Sequence, residues 1–108
     1  WKSANYPSTG FAEYLDIFQL GAYYDTVSDV TNAITRAKTI TKGVCDVFGT
    51  ISAASTVIDM EKACYTCLKN SDGLMVFELS HIINNRAWSK IKAGVKKAEE
   101  ELGIVREY

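Results

Sequence analysis

The feature that most constrains this chain is a stripe of apolar side chains that begins at Val27. Val27, Val30, Ile34, Ala37, Val44, Phe48 and Ile51 follow steps of three and four, broken only at Thr41. That spacing places them along one side of a helix. Asp25 or Ser28 stands where a helix start needs a side-chain cap. Gly43 and Gly49 each cost a helix up to about 1 kcal/mol, so the stripe predicts one bent helix or two helices ending before Lys62. Within it, Val47 to Ile58 is apolar and rich in small residues, and reads as a core helix packed closely on a sheet. It is shorter than the ~20 residues needed to cross a bilayer. The other reading of that stretch is a helix that inserts into a membrane conditionally.

A second stripe runs through Trp88, Ile91, Val95, Ala98 and Leu102, with Asn84 or Asn85 to cap it and Gly103 to end it. It predicts a helix over 84–103. Between the two stripes, Ala63 to Lys69 and Leu74 to Ser80 flank Asn70-Ser71-Asp72-Gly73, a set of turn residues. This arrangement predicts a β-hairpin over 63–80, with Gly73 taking positive φ. Residues 1–9 have loop composition, closed by Gly10, and Ile104 to Tyr108 read as a short last strand. Residues 11–20 fit a helix face through Phe11, Tyr14, Leu15 and Phe18, or a strand face through Tyr14, Phe18 and Leu20; the density of aromatic residues favours a strand.

The expected fold is therefore α+β: a small antiparallel sheet with two main helices on one face, in the ferredoxin-like βαββαβ order. The alternative, with 11–20 helical, is a mostly helical domain with a β-hairpin. At 108 residues the whole chain, 1–108, is read as a single compact domain. A net charge of −1 argues against a nucleic-acid partner, which usually demands a basic domain. The charge is uneven: Arg86, Lys90, Lys92, Lys96 and Lys97 follow one another with no intervening acid, before Glu99, Glu100 and Glu101. Those five bases read as a solvated helix side or as a basic contact face toward an anionic partner.

Three cysteines leave an odd count. Cys64-Tyr65-Thr66-Cys67 has redox spacing, but no strand–loop–helix context that lowers a thiol pKa is visible. Three cysteines and the single His81 do not make a convincing four-ligand zinc set. If 63–69 is a strand, Cys64 and Cys67 point to opposite faces, and Cys45 pairs with one of them. Closing that loop would stabilise the fold by about 3 kcal/mol. Reduced thiols in a cytosolic protein are the alternative. No cofactor is expected. No catalytic residue is expected either: the sequence has no phosphate-binding glycine loop and no nucleophile elbow, and His81 has no nucleophile spaced to meet it.

The start Trp1-Lys2-Ser3 suggests a processed, secreted chain. The small-residue helix around Gly49 to Ile58, the turn around Asn70 to Gly73 and the basic helix from Arg86 to Lys97 together resemble the secreted α/β-sandwich killer toxins of fungi and their viruses. That resemblance implies a secreted toxin or effector that acts on a target cell, with a second subunit or homo-oligomer, or the target's surface or membrane, as partner. The alternative function is a structural or assembly subunit of coat or scaffold type.

Overall fold

A computed structural model describes residues 10–104. The class is α+β, and every strand pair in the sheet is parallel. After a short 3-10 turn at Ala12–Tyr14 come β1 (Ile17–Gly21), α1 (Val27–Thr41), β2 (Asp46–Ser52), α2 (Met60–Asn70), β3 (Gly73–Phe77), α3 (Leu79–Asn84) and α4 (Trp88–Leu102). The strands lie in the order β1-β2-β3, with Leu20 opposite Gly49 and Gly49 opposite Leu74. Each crossover from one strand to its neighbour carries a helix, as parallel pairing requires. Helices α1 and α2 pack on each other, so both lie on the same side of the sheet.

The antiparallel, ferredoxin-like order is thereby corrected, and so is the hairpin common to both expected folds. Residues 63–69 are helical. Met60, Ala63, Cys64 and Cys67 recur at steps of three, one and three, and all four are buried. Asn70 to Asp72 therefore joins a helix to a strand. Gly73 does not take positive φ; its lack of a side chain lets the Phe48 ring lie against it, since a Cβ there would stand 2.9 Å from three ring carbons.

The long first stripe divides at Gly43. Thr26, one residue after Asp25 and two before Ser28, opens α1 by accepting from the Asp29 amide at 3.1 Å. Lys42 and Gly43 at φ 54° and 73° then end it in the left-handed region. Beyond them Val47, Phe48, Thr50 and Ile51 form a buried strand, and the residues from Ala53 to Asp59 form a loop. No core helix exists at 47–58. The first strand is present, but as Ile17–Gly21. The second stripe is a helix from Trp88, ended by Gly103 at φ 72°. Ala87 rather than an asparagine stands at its cap position, and α3 occupies 79–84. The readings of 1–9 as loop and of 105–108 as strand lie outside the described residues.

The core sits between the sheet and α1 and α2. Val30 and Ile34 from α1, Ile51 from β2, and Ala63, Cys64 and Cys67 from α2 are its most enclosed members. Gly49 on β2 makes room for α2: a methyl group there would overlap the Cys67 sulfur and touch Ile34 at 3.6 Å. Gly94 on α4 has a parallel role outside, where it lets α4 close onto the Glu61 carbonyl. The side of the sheet away from the helices carries Ile17, Gln19, Phe48, Thr50, Met75 and Phe77. That assignment follows from the register and from the alternation of side chains along each strand.

Candidate functional site at the carboxyl ends of the strands

All three strands run the same way, so the loops that follow them gather at one end of the sheet. In open α/β sheets this is where ligands bind. The first loop leaves β1 at Gly21. Ala22 is fully buried and its amide donates to the Thr50 carbonyl at 2.8 Å, which holds the loop against β2. The second loop leaves β2 at Ser52, and the Ala53 amide donates to the Phe77 carbonyl at 2.7 Å. The third unit follows β3, where the Phe77–Glu78 peptide bond is cis.

Polar side chains tie these loops together. Ser55 Oγ donates to Asp25 Oδ1 at 2.6 Å, linking the second loop to the first. The same oxygen accepts from the Val57 and Ile58 amides at 3.4 and 3.3 Å, so the loop wraps around one hydroxyl. Asn85 Nδ2 donates to the Ala53 carbonyl at 2.8 Å, bringing in the segment between α3 and α4. A cavity of about 130 Å³ lies against this junction, lined by Ser55, Thr56, Met60, Asn85, Ala87 and Lys90 among others. Lys90 is the only formally charged group in that lining. Sequence reading assigned Asn85 to a helix cap and gave Asp25 the same task. The signal that would have found them is the strand–helix alternation, which marks residues 22–26, 53–59 and 78–87 as one end of a sheet.

The sequence-predicted site residues are not brought together. All three thiols are free, so the expected disulfide is absent. Because 63–69 is helical, Cys64 and Cys67 lie one turn apart on the same buried side of α2. Burial, helped by the neighbouring Cys67 thiol, pushes the Cys64 pKa up to about 12. Burial raises Cys67 as well, against hydrogen bonds from Ser71 and Gly49 that lower it. Both are therefore poor nucleophiles at neutral pH. Cys45 is partly buried at the opposite end of the sheet, beside Lys38, Asp46 and Asp72. His81 sits half-exposed in α3, with Nε2 3.9 Å from Glu78 Oε1. Among the described residues no cluster of three or more metal-ligating side chains occurs, and no helix is long and apolar enough to cross a membrane.

The five basic residues do not share one face. Arg86 precedes α4, at φ 51°. At about 100° per residue, Lys90 and Lys97 fall on one side of α4, and Lys92 and Lys96 on another. Lys97 leans over the Tyr65 ring at 4.6 Å, beside a groove that Glu61 and Lys62 also line. Tyr65 donates to Glu101 Oε2 at 2.5 Å, and Lys69 reaches the same oxygen at 3.0 Å. These two hydrogen bonds hold the Glu101 carboxyl below its usual range, and the bond to Glu101 raises Tyr65 and Lys69. This surface network joins α2 to α4, and all five bases remain exposed. Comparison with protein-family models, with curated proteins and with solved structures found no match.

Proposed function

We propose that this chain is a binding module that takes a small ligand bearing an anionic group at the carboxyl ends of its parallel strands. The observation that carries the reading is the Asp25–Ser55 hydrogen bond at 2.6 Å, which ties two strand-to-helix loops beside a cavity. Apolar packing would suffice if this end of the sheet were only structural; here it is polar, with Lys90 the one charge in the lining. A carboxylate or phosphate would be drawn to that ammonium and positioned by the hydroxyl of Thr56 and the amide of Asn85. No nucleophile–base pair accompanies these groups, so the proposal is binding and not catalysis.

Titration of the labelled chain with inorganic phosphate and with acetate, followed by amide chemical shifts, tests this. Saturable shifts centred on Ser55, Thr56 and Lys90, lost in Lys90→Ala, are expected. Shifts spread over all lysines, or none, would refute it. Action on a target cell, as a secreted toxin or effector, is the broader form of the binding proposal. Its support is the sheet side that the helices leave uncovered.

A further inference from the structure

We propose that the cavity beside the Asp25–Ser55 bond selects small aliphatic carboxylates of about five carbons, with the carboxylate at its rim and the hydrocarbon end on its floor. Such selectivity rests on the anion-binding reading of the same cavity and adds the class of ligand. The lining divides by chemistry and by depth together. Ala53, Ile58, Met60 and Ala87 are 0%, 8%, 4% and 4% exposed. Thr56, Asn85 and Lys90 are all exposed. The apolar members therefore form the floor and the polar members the rim. A wholly polar ion such as phosphate does not suit this division. Its inner oxygens would lie against Ile58 and Met60, out of water and without hydrogen bonds.

The rim is matched to one carboxylate. Among the described residues Lys90 enters no ion pair, and the Thr56 hydroxyl makes no hydrogen bond. Asn85 gives one N–H of its side chain to the Ala53 carbonyl, which leaves the other for a ligand. Ser55 is already committed, since its hydroxyl donates to Asp25 and accepts from two amides. An ammonium, a hydroxyl and an amide N–H remain, enough to satisfy the two oxygens of a carboxylate. Asp25, bonded to Ser55, adds a negative charge close by. That charge repels a dianion about twice as strongly as a monoanion.

Volume sets the length of the chain. An apolar cavity of about 150 Å³ takes one benzene, a molecule of six carbons. At about 130 Å³ the cavity here takes about five carbons by the same measure. The carbon skeleton of isovalerate fits that space with its oxygens at the rim. A longer chain would leave its end in water and gain nothing from the floor.

Titration of the labelled full chain with acetate, butyrate, isovalerate and octanoate, followed by amide and methyl chemical shifts, tests this. Inorganic phosphate and the uncharged isovaleramide are titrated in parallel. A fully buried carbon tightens binding about fourfold. Isovalerate has three carbons more than acetate, and with those partly buried it is expected to bind about tenfold more tightly. Its shifts are expected at the methyl groups of Ala53, Ile58, Met60 and Ala87 as well as at Lys90. Octanoate is expected to gain little over isovalerate. Isovaleramide on the wild-type chain, and isovalerate on Lys90→Ala, are each expected to bind about fivefold more weakly, the scale of an exposed charge pair. Lys90 is exposed, so the variant is expected to keep the wild-type circular dichroism. Acetate or phosphate binding at Lys90 as tightly as isovalerate would overturn the carboxylate selectivity and leave the anion site standing, and so would an affinity that keeps climbing to octanoate. No saturable shift from any probe, or no weakening in isovaleramide and Lys90→Ala, would overturn both readings.

Discussion

Replacing Gly94 with alanine is expected to weaken the fold, although alanine is the better helix former. On an exposed helix the change would stabilise by about 1 kcal/mol. Gly94 is buried against α2, where a Cβ would overlap the Glu61 carbonyl and come within 3.2 Å of the Cys64 Cβ. The Glu61 group is backbone and cannot rotate away. Helix α4 must therefore retreat, loosening the contacts of Ile91 and Ala98 with the core. Overpacking of this kind costs about 1–3 kcal/mol and sometimes more. The helix gain offsets only part of this, because the retreat also opens gaps along the seam. A net loss of about 1–2 kcal/mol is expected, or about 5–10 °C in Tm for a domain this small. Urea unfolding followed by circular dichroism measures it, with Ala93→Gly on the exposed side as a control that loses about 1 kcal/mol. A Gly94→Ala protein as stable as wild type would refute the close approach of α2 and α4.

Gly49→Ala is expected to cost about 1–3 kcal/mol by pressing on the Cys67 sulfur. Cys67→Ala in the same chain should recover part of that loss, a coupling readable in a double-mutant cycle. The Cys64 thiol, with its pKa pushed up to about 12, should resist a thiol reagent in native buffer and react once urea unfolds the chain. Because the folded pKa lies above the unfolded one, the folded state holds its proton longer. Its contribution to stability is full below the unfolded thiol pKa and is lost as pH climbs toward 12; denaturation curves on the alkaline side check the sign. Glu101 runs the other way: its lowered pKa contributes stability present above the ordinary carboxylate range and lost as pH falls through the folded value. Glu101→Gln should flatten that acid-side dependence, with only a small change at neutral pH because the pair is exposed.

The helices at 27–41 and 88–102 were legible from their three-and-four spacing, but only the second stripe ends at its left-handed glycine, Gly103; the first runs on past Gly43 to Ile51. The strand at 46–52 was not legible. Its residues Phe48 and Ile51 continue the helical spacing from Val44, so the two periods coincide there. A strand buried on both sides, as Val47 and Ile51 are on one and Thr50 on the other, also lacks clean apolar–polar alternation. At 63–69 the turn residues Asn70 to Gly73 suggest a hairpin, while the spacing of Met60, Ala63, Cys64 and Cys67 is that of the buried side of a helix. That one segment decides the whole topology: read as a strand it makes a hairpin and an antiparallel sheet, read as a helix it makes the second parallel crossover. The site followed the fold. Asp25, Ser55 and Asn85 converge only when their loops are known to share the carboxyl end of one sheet, a relation that sequence spacing does not carry.

The parallel three-stranded sheet is what everything else depends on, and backbone nuclear Overhauser effects between strands read it directly. The account predicts cross-strand contacts linking Leu20 to Gly49 and Gly49 to Leu74, with a helical pattern of sequential contacts through Ala63 to Lys69. Contacts pairing 63–69 with 74–80 in antiparallel register would contradict it.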